Sequence, residues 1–260
     1  LPLSFMVSVG NQAVVSIEDL IEYFSFNNKV KAIGVHIEGI KNIDQFIRAS
    51  NMAMKIGKPI VALKTGKSKI GKRLTKSHTG SLSGDNDVFA ALFEQLGIIE
   101  VDNPIQFIET LKFLSLSNPI NGKNIIGFTC SGGGATMVAD TSDKLGLTFP
   151  PFNKKAKTDL KEKLPAIATV SNPLDYTTPI WGAPEKTKPV FRAAIRSNNF
   201  AVAILVQDFP LEGLDESEPM YLNDSYAFIK QSKELKVLPV ICSTFPENIN
   251  KEIREKLIKK

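Results

Sequence analysis

The residues best suited to do chemistry stand in Lys76-Ser77-His78-Thr79-Gly80-Ser81-Leu82-Ser83-Gly84. His78 is one of two histidines in the chain. An imidazole titrates near neutrality, so it can act as a nucleophile or carry a proton at physiological pH. The glycines let backbone approach a bound group closely. Ser77, Thr79 and the loop N–H groups can receive phosphate oxygens, and a helix start just after the loop favours an anion. Taken alone, a histidine in a polar loop also fits a structural or solvated role. A second candidate is Ser131-Gly132-Gly133-Gly134 followed by Ala135, between an apolar run and a helical pattern. Strand, glycine turn and helix offer N–H groups and a helix dipole to phosphate. A tight turn that needs glycine fits the same residues, and the spacing matches neither a Rossmann fingerprint nor a Walker loop.

The elements that must position these groups are legible from periodicity. Phe5–Val9 reads as a strand broken by Gly10-Asn11. Ser16 to Asp19 has capping-box spacing, and Ile17, Leu20, Ile21 and Phe24 follow on a helical face. Val30–Ile37 is a near-continuous apolar run, which suits a strand buried on both faces of a parallel sheet. It ends at Glu38. Asp44–Ile56 reads as helix, Pro59–Leu63 as strand, Asp85–Leu96 as helix, Ile98–Val101 as strand and Ile105–Leu116 as helix with Pro104 in its first turn. The cluster Ser117–Lys123 marks a boundary, with domains at 1–120 and 121–260. The pattern then restarts. Asn124–Cys130 is a strand, Ala135–Leu145 and Asn153–Lys163 are helices, and Ser171–Asp175 is a proline-fixed turn. Pro184–Ser197 is helix, Ala201–Gln207 strand, Asp208–Pro219 an acidic loop, Tyr221–Lys236 helix, Val237–Ser243 strand, and the tail a last helix.

Alternating strands and helices imply an α/β fold of two doubly wound, mainly parallel-sheet units. In such sheets ligands sit beyond the carboxyl ends of the strands. Glu38 and the His78 loop follow different strands and so share that edge. A carboxylate there can fix an imidazole's tautomer and stabilise positive charge on it; a solvated loop acid is the other reading of Glu38. His36 lies within the strand pattern and reads as a packed, hydrogen-bonded side chain. Asn172 and Asp175 can cap backbone or face a ligand.

The 260 residues carry a net charge of +5 and a pI of about 9.0, with diffuse lysines. That excess suits phosphates or nucleotides but is too scattered to imply nucleic acid. No apolar run is long enough to span a membrane, and no signal-peptide pattern is present, so cytoplasm is the expected compartment. Cys130 and Cys242 sit in strand-like runs and read as reduced, buried thiols. Two cysteines and two histidines give no metal-site spacing. The chain lacks an initial Met and both ends read as cuts, so a piece of something larger is expected.

With Glu38 before it, and Ser131-Gly132-Gly133-Gly134 and Asn172-Pro173-Leu174-Asp175 after it, the Ser77-His78-Thr79-Gly80 motif resembles the NDP-forming acyl-CoA synthetases. These include ADP-forming acetyl-CoA synthetase, a relative of succinyl-CoA synthetase. Val7-Ser8-Val9-Gly10-Asn11 and Lys64-Thr65-Gly66 are also similar to the family. The resemblance implies two flavodoxin-like, succinyl-CoA-synthetase-type domains. It implies that His78 carries phosphate, that Glu38 holds the phosphohistidine, and that Ser77, Thr79, Gly80 and Ser131–Ala135 contact phosphate. Gly10, Asn11, Asn172 and Asp175 are then ligand-facing candidates. The implied reaction interconverts acyl-CoA, NDP and phosphate with acid, CoA and NTP. It implies CoA, ATP/ADP or GTP/GDP, and Mg2+ held mainly by other domains. It further implies a CoA-binding Rossmann domain, an ATP-grasp domain or subunit, a small carboxylic acid substrate, and an oligomer. Two alternatives stand beside it: the regulatory acyl-CoA-synthetase-like region of a protein lysine acetyltransferase, and a nucleotide- or CoA-binding module without turnover.

Overall fold

The computed structural model describes residues 3–71, 73–74 and 86–260. The chain divides into two compact units, Leu1–Pro119 and Ile120–Lys260. In the first, β1 (Ile33–Ile37), β2 (Ile60–Lys64) and β3 (Ile99–Val101) form a parallel sheet in the order β1-β2-β3. Helices α1 (Ile17–Ser25), α2 (Ile43–Lys55), α3 (Asn86–Leu96) and α4 (Pro104–Leu116) link and cover the strands. The capping box at Ser16 forms, with its hydroxyl accepting from the Asp19 N–H and the Asp19 carboxylate accepting from the Ser16 N–H. The Ser16 N–H, and then the Ser16 hydroxyl, donating to the Asp19 carboxylate hold that carboxyl below the usual carboxylate range. Ile33, Val35 and Ile37 pack with Ile21, Phe46, Ala49 and Phe93 in one core.

Period-2 alternation sends Gly34 and His36 to the other face of β1. There a Cβ on Gly34 would lie 2.6 Å from Leu111 and 2.7 Å from Phe107 of α4, so a close strand–helix approach requires glycine. The burial of β1 alternates, and Gly34 and His36 are exposed. This differs from the two-sided burial that the apolar run Val30–Ile37 suggests. Phe5–Val9 also differs: it is extended but joins no sheet, because its backbone meets no strand edge.

The second unit carries β4 (Ile125–Thr129), β5 (Leu174–Asp175), β6 (Val202–Val206) and β7 (Leu238–Cys242). They are parallel and ordered β5-β4-β6-β7. The order reverses at β4, so the switch point lies between β4 and β6, where ligand crevices form in open α/β sheets. The helices are α5 (Gly132–Lys144), α6 (Lys154–Lys163), α7 (Pro184–Ile195), α8 (Glu218–Glu234) and α9 (Lys251–Ile258). The core joins Ile126, Phe128, Leu174, Leu205, Phe191 and Phe228. Phe128 meets Phe191 and Phe228 edge-on at 5.0 and 5.7 Å between ring centroids.

A buried polar chain crosses this core. The Tyr176 hydroxyl donates to Asp224 Oδ2 at 2.9 Å and accepts from Gln207 Nε2 at 3.3 Å. Burial pushes the Tyr176 phenol well up, and it raises the Asp224 carboxyl. A carboxyl raised in the folded state stabilises the fold while protonated. That contribution is lost as pH rises through the unfolded and then the folded value. Asp224→Asn keeps an oxygen for Tyr176 and removes the buried charge. The variant should melt roughly 2–4 °C above the parent at pH 7. The gap should close as pH falls toward 4, which calorimetry across that range measures.

Candidate functional site

In the first unit the carboxyl edge is built by the residues that follow β1, β2 and β3. Glu38 leaves the end of β1 half-buried. Its Oε2 is inaccessible to water and has no hydrogen-bond partner among the described residues. Beside it, the Thr65 N–H donates to the Ile37 carbonyl at 3.0 Å. His36 Nε2 lies 3.0 Å from Thr65 Oγ1, so His36 is hydrogen-bonded as read, but exposed rather than packed.

The loop after β2 is fixed at both ends. Lys67 Nζ pairs with Glu100 at 2.7 Å and with Asp102 at 3.4 Å, on and just after β3. The Glu100 hydrogen bond raises the Lys67 ammonium above its ordinary value. On the far side, Asn86 Nδ2 at the start of α3 donates to the Lys67 carbonyl at 2.8 Å. Lys64 is buried at the end of β2, its ammonium 4.9 Å from the centre of the Phe89 ring. Ser77, His78, Thr79 and Gly80 lie outside the described residues. Thr65, Lys67 and Asn86, which pin the loop's two ends, carry no local signal: their partners lie on other elements.

Gly10 and Asn11 are exposed at a turn, Gly10 with φ +53°. The polar work at this turn falls to Gln12. Its Oε1 accepts from the Ile17 N–H at 3.0 Å, and its carbonyl accepts from Lys41 Nζ at 2.8 Å.

In the second unit, Ser131 caps α5. Its hydroxyl accepts from the Gly134 N–H at 3.4 Å and its carbonyl from the Ala135 N–H at 3.0 Å. The helix therefore begins at Gly132, three residues before the reading at Ala135. The Gly132 and Gly133 N–H groups open the first turn, where no intrahelical acceptor exists, and no described residue supplies one. Both glycines are exposed. Such donors and the helix dipole can receive an anion. Thr129 holds the turn from beneath, its Oγ1 accepting from the Ser131 N–H at 3.2 Å. A Cβ on Gly134 would fall 2.7 Å from that oxygen.

Asp175 closes one side of this turn. Its Oδ1 accepts from the Thr177 N–H at 2.9 Å, and its Oδ2 lies 3.5 Å from where a Cβ on Gly132 would stand. Asn172 takes the backbone-holding role of the two open to it. Nδ2 donates to the Ile125 and Pro150 carbonyls at 3.0 and 3.1 Å, and Oδ1 accepts from the Gly127 N–H at 3.2 Å. Both amide hydrogens are spent, leaving none for a ligand. On the other side of the switch point, Asp208 gathers Thr244 Oγ1 at 2.7 Å and Asn248 Nδ2 at 3.1 Å. Cys130, between these acids, has its thiol pushed up, first by burial and then by Asp224.

Gly134→Ala should destabilise the second unit by about 1–3 kcal/mol, the usual cost of forcing a methyl into a packed contact. Thr129→Ala in the same chain removes the clashing oxygen. The double variant should lose less than the sum of the single losses in urea unfolding; strictly additive losses would contradict the contact. Asn172→Ala should cost about 1–3 kcal/mol by stranding backbone groups of β4.

Residues 1–114 match the succinyl-CoA ligase like flavodoxin domain. The chain is 36% identical over 172 residues to the alpha subunit of acetate–CoA ligase [ADP-forming] II from Pyrococcus furiosus, covering 66% of this chain and 37% of that subunit. It is 35% identical over 172 residues to acetate–CoA ligase [ADP-forming] from Methanocaldococcus jannaschii, covering 66% of this chain and 24% of that protein. The match thus spans well under half of either relative. In fold, the chain is similar to the dinucleotide forming acetyl-coenzyme A synthetase 1 of Ca. Korarchaeum cryptofilum, solved with phosphate and ADP. The TM-score is 0.75 at 22% identity, over 96% of this chain and 52% of that one. The ligase-like sheets and the sequence relatives agree, and the chain belongs to the NDP-forming acyl-CoA synthetase family.

Proposed function

We propose that this chain is the phosphate-carrying part of an NDP-forming acid–CoA ligase, with His78 as the carrier and Glu38 as its orienting acid. The observation that carries this reading is the buried, unpartnered Oε2 of Glu38. It sits at the sheet edge from which the His78 loop departs, and that loop is pinned through Lys67 and Asn86. A buried carboxylate oxygen without a donor is costly, and the cost is met where a functional group supplies the donor.

The chemistry follows from these groups. With its one ring N–H donated to Glu38, the neutral imidazole presents the lone pair of its other nitrogen to phosphorus. That nitrogen attacks the phosphorus of an acyl phosphate. An N–P bond forms, the bond from phosphorus to the acyl oxygen breaks, and the carboxylate leaves with the electron pair. Glu38 stabilises the positive ring that results. A terminal phosphate oxygen of a nucleoside diphosphate then attacks the same phosphorus, forming the triphosphate and returning the neutral ring. The N–H groups of Gly132 and Gly133, without an acceptor among the described residues, fit an oxyanion and would grip a phosphoryl group by hydrogen bonds and helix dipole.

Among the described residues no cluster of three or more His, Cys, Asp or Glu is placed to hold a metal, so no step is assigned to Mg2+ on this chain. In this reading Mg2+ and the nucleotide sit on an ATP-grasp partner, and CoA on a Rossmann domain. The activities in the relatives' names, acetate–CoA ligation with ADP formation, support a small carboxylic acid as substrate.

The test is phosphoryl transfer. With an ATP-grasp partner, Mg2+ and terminally labelled ATP, the chain should gain acid-labile, base-stable label. His78→Asn should abolish it, and Glu38→Gln should reduce it by about 10²- to 10⁴-fold, the range for a positioned acid–base partner. Absence of label with a partner proven active on a competent chain would overturn the reading. It would favour the regulatory or binding-module alternative.

A further inference from the structure

Glu18 is an acid buried without a counter-charge. It lies in the first turn of α1, is 0% exposed and forms no ion pair among the described residues. Its Oε1 accepts from the N–H groups of Lys41 and Asn42, each at 3.0 Å. Its Oε2 is inaccessible to water and has no hydrogen-bond partner among the described residues. Burying such a group opposes folding, so its place calls for a reason beyond packing.

The two amides that it holds form the far end of the bridge carrying Glu38. β1 ends at Ile37 and α2 begins at Ile43, so the bridge is Glu38–Asn42. At its near end the Thr65 N–H donates to the Ile37 carbonyl at 3.0 Å, which ties down the last residue before Glu38. At its far end stands the Glu18 carboxyl. Between them Gln12 Nε2 meets the Gly39 carbonyl at 3.5 Å, and Lys41 Nζ donates to the Gln12 carbonyl at 2.8 Å.

Helix α2 has a local residue that could do part of this work. Asn42 is its N-cap, with a side chain that accepts from the Gln45 N–H at 3.0 Å. In a capping box the residue in Gln45's place reaches back to the N–H of the N-cap. Here Gln45 Nε2 donates to Asp19 Oδ1 at 2.6 Å instead, and the Asn42 N–H goes to Glu18. A local cap would tie α2 only to itself. The bond from Glu18 ties the start of α2, and the bridge before it, to α1. Two adjacent residues of α1 therefore grip α2: exposed Asp19 through a side chain, and buried Glu18 through the backbone.

With His78 read as the phosphate carrier and Glu38 as its orienting acid, a reading on which this inference rests, we propose that Glu18 is a positioning residue of the phosphohistidine site. It acts through the backbone. By holding Lys41 and Asn42 it fixes the span from β1 to α2, and with it the place of the Glu38 carboxyl. Released at that end, the bridge keeps only Ile37 and the Gln12 contacts, and Glu38 no longer has one position on the rim.

The test pairs phosphoryl transfer with nitrogen-15 NMR of the histidines. The chain is mixed with an ATP-grasp partner, Mg2+ and terminally labelled ATP. Glu18→Ala should slow labelling by roughly 10²-fold, the effect of displacing a working group by about 1 Å. His78 should also lose its single tautomer while His36 is unchanged. Glu18→Gln has the same reach and an oxygen for both N–H groups, and should label at the parental rate. Glu18→Asp keeps the acid but is one methylene shorter, and should fall with the alanine variant; it replaces that variant if Glu18→Ala does not fold. Asp19→Ala loosens α1 and Gln45 without freeing Lys41 or Asn42. It should melt below the parent yet keep the parental rate and tautomer. Parental labelling and tautomer in Glu18→Ala or Glu18→Asp would overturn the proposal. Equal losses in Asp19→Ala would overturn it too, by tracing them to general loosening. A parent chain that takes no label would instead overturn the phosphohistidine reading beneath it.

Discussion

Parallel strands deliver every loop that follows them to one edge, and both units depend on that constraint. In the first unit it puts Glu38, Thr65 and Asp102 on a single rim after β1, β2 and β3. In the second it puts Ser131, Asp175 and Asp208 on the rim after β4, β5 and β6. The residues are far apart in sequence, and only the shared polarity of the ladder gathers them. An antiparallel arrangement would send alternate loops to opposite ends and dissolve both clusters.

What the edges then do depends on how their loops are held. The glycine turn after β4 is fixed from below by Thr129 and along its flank by Asp175, so its first N–H groups stay aimed outward. Asn172 secures the same region from behind, joining β4 to the segment at Pro150. The loop after β2 uses ionic anchors instead, Lys67 against Glu100 and Asp102. Such partly exposed pairs contribute little stability singly, but they restrict where the loop can begin. Against this fixed frame the buried oxygen of Glu38, like Asn86 Oδ1 at the start of α3, has no partner among the described residues.

Much of the fold was legible because apolar periodicity and caps are local. Gly57 and Gly97 follow α2 and α3 where helical patterns stop, and Asn153 caps α6 through Ala156. What was not legible is non-local. Phe5–Val9 has a strand's composition, but a strand needs an edge, and its own residues do not supply one. The role of Asn172 was open because its partners lie 22 to 47 residues away. Tyr176, Gln207 and Asp224 carry no local signal for the same reason, and only the folded core shows them as one chain of hydrogen bonds. The start of α5 was read late because glycines are poor helix formers, and the Ser131 cap overrides that preference.

The central claim is that the buried oxygen of Glu38 exists to receive an imidazole N–H from His78. Nitrogen-15 NMR of histidine-labelled protein tests it directly, by the tautomer of each ring and the exchange of its N–H with water. The account predicts one dominant tautomer for His78, with an N–H protected from exchange, and loss of both features in Glu38→Ala while His36 is unchanged. A His78 ring with the tautomer balance of free imidazole, indifferent to Glu38→Ala, would contradict it.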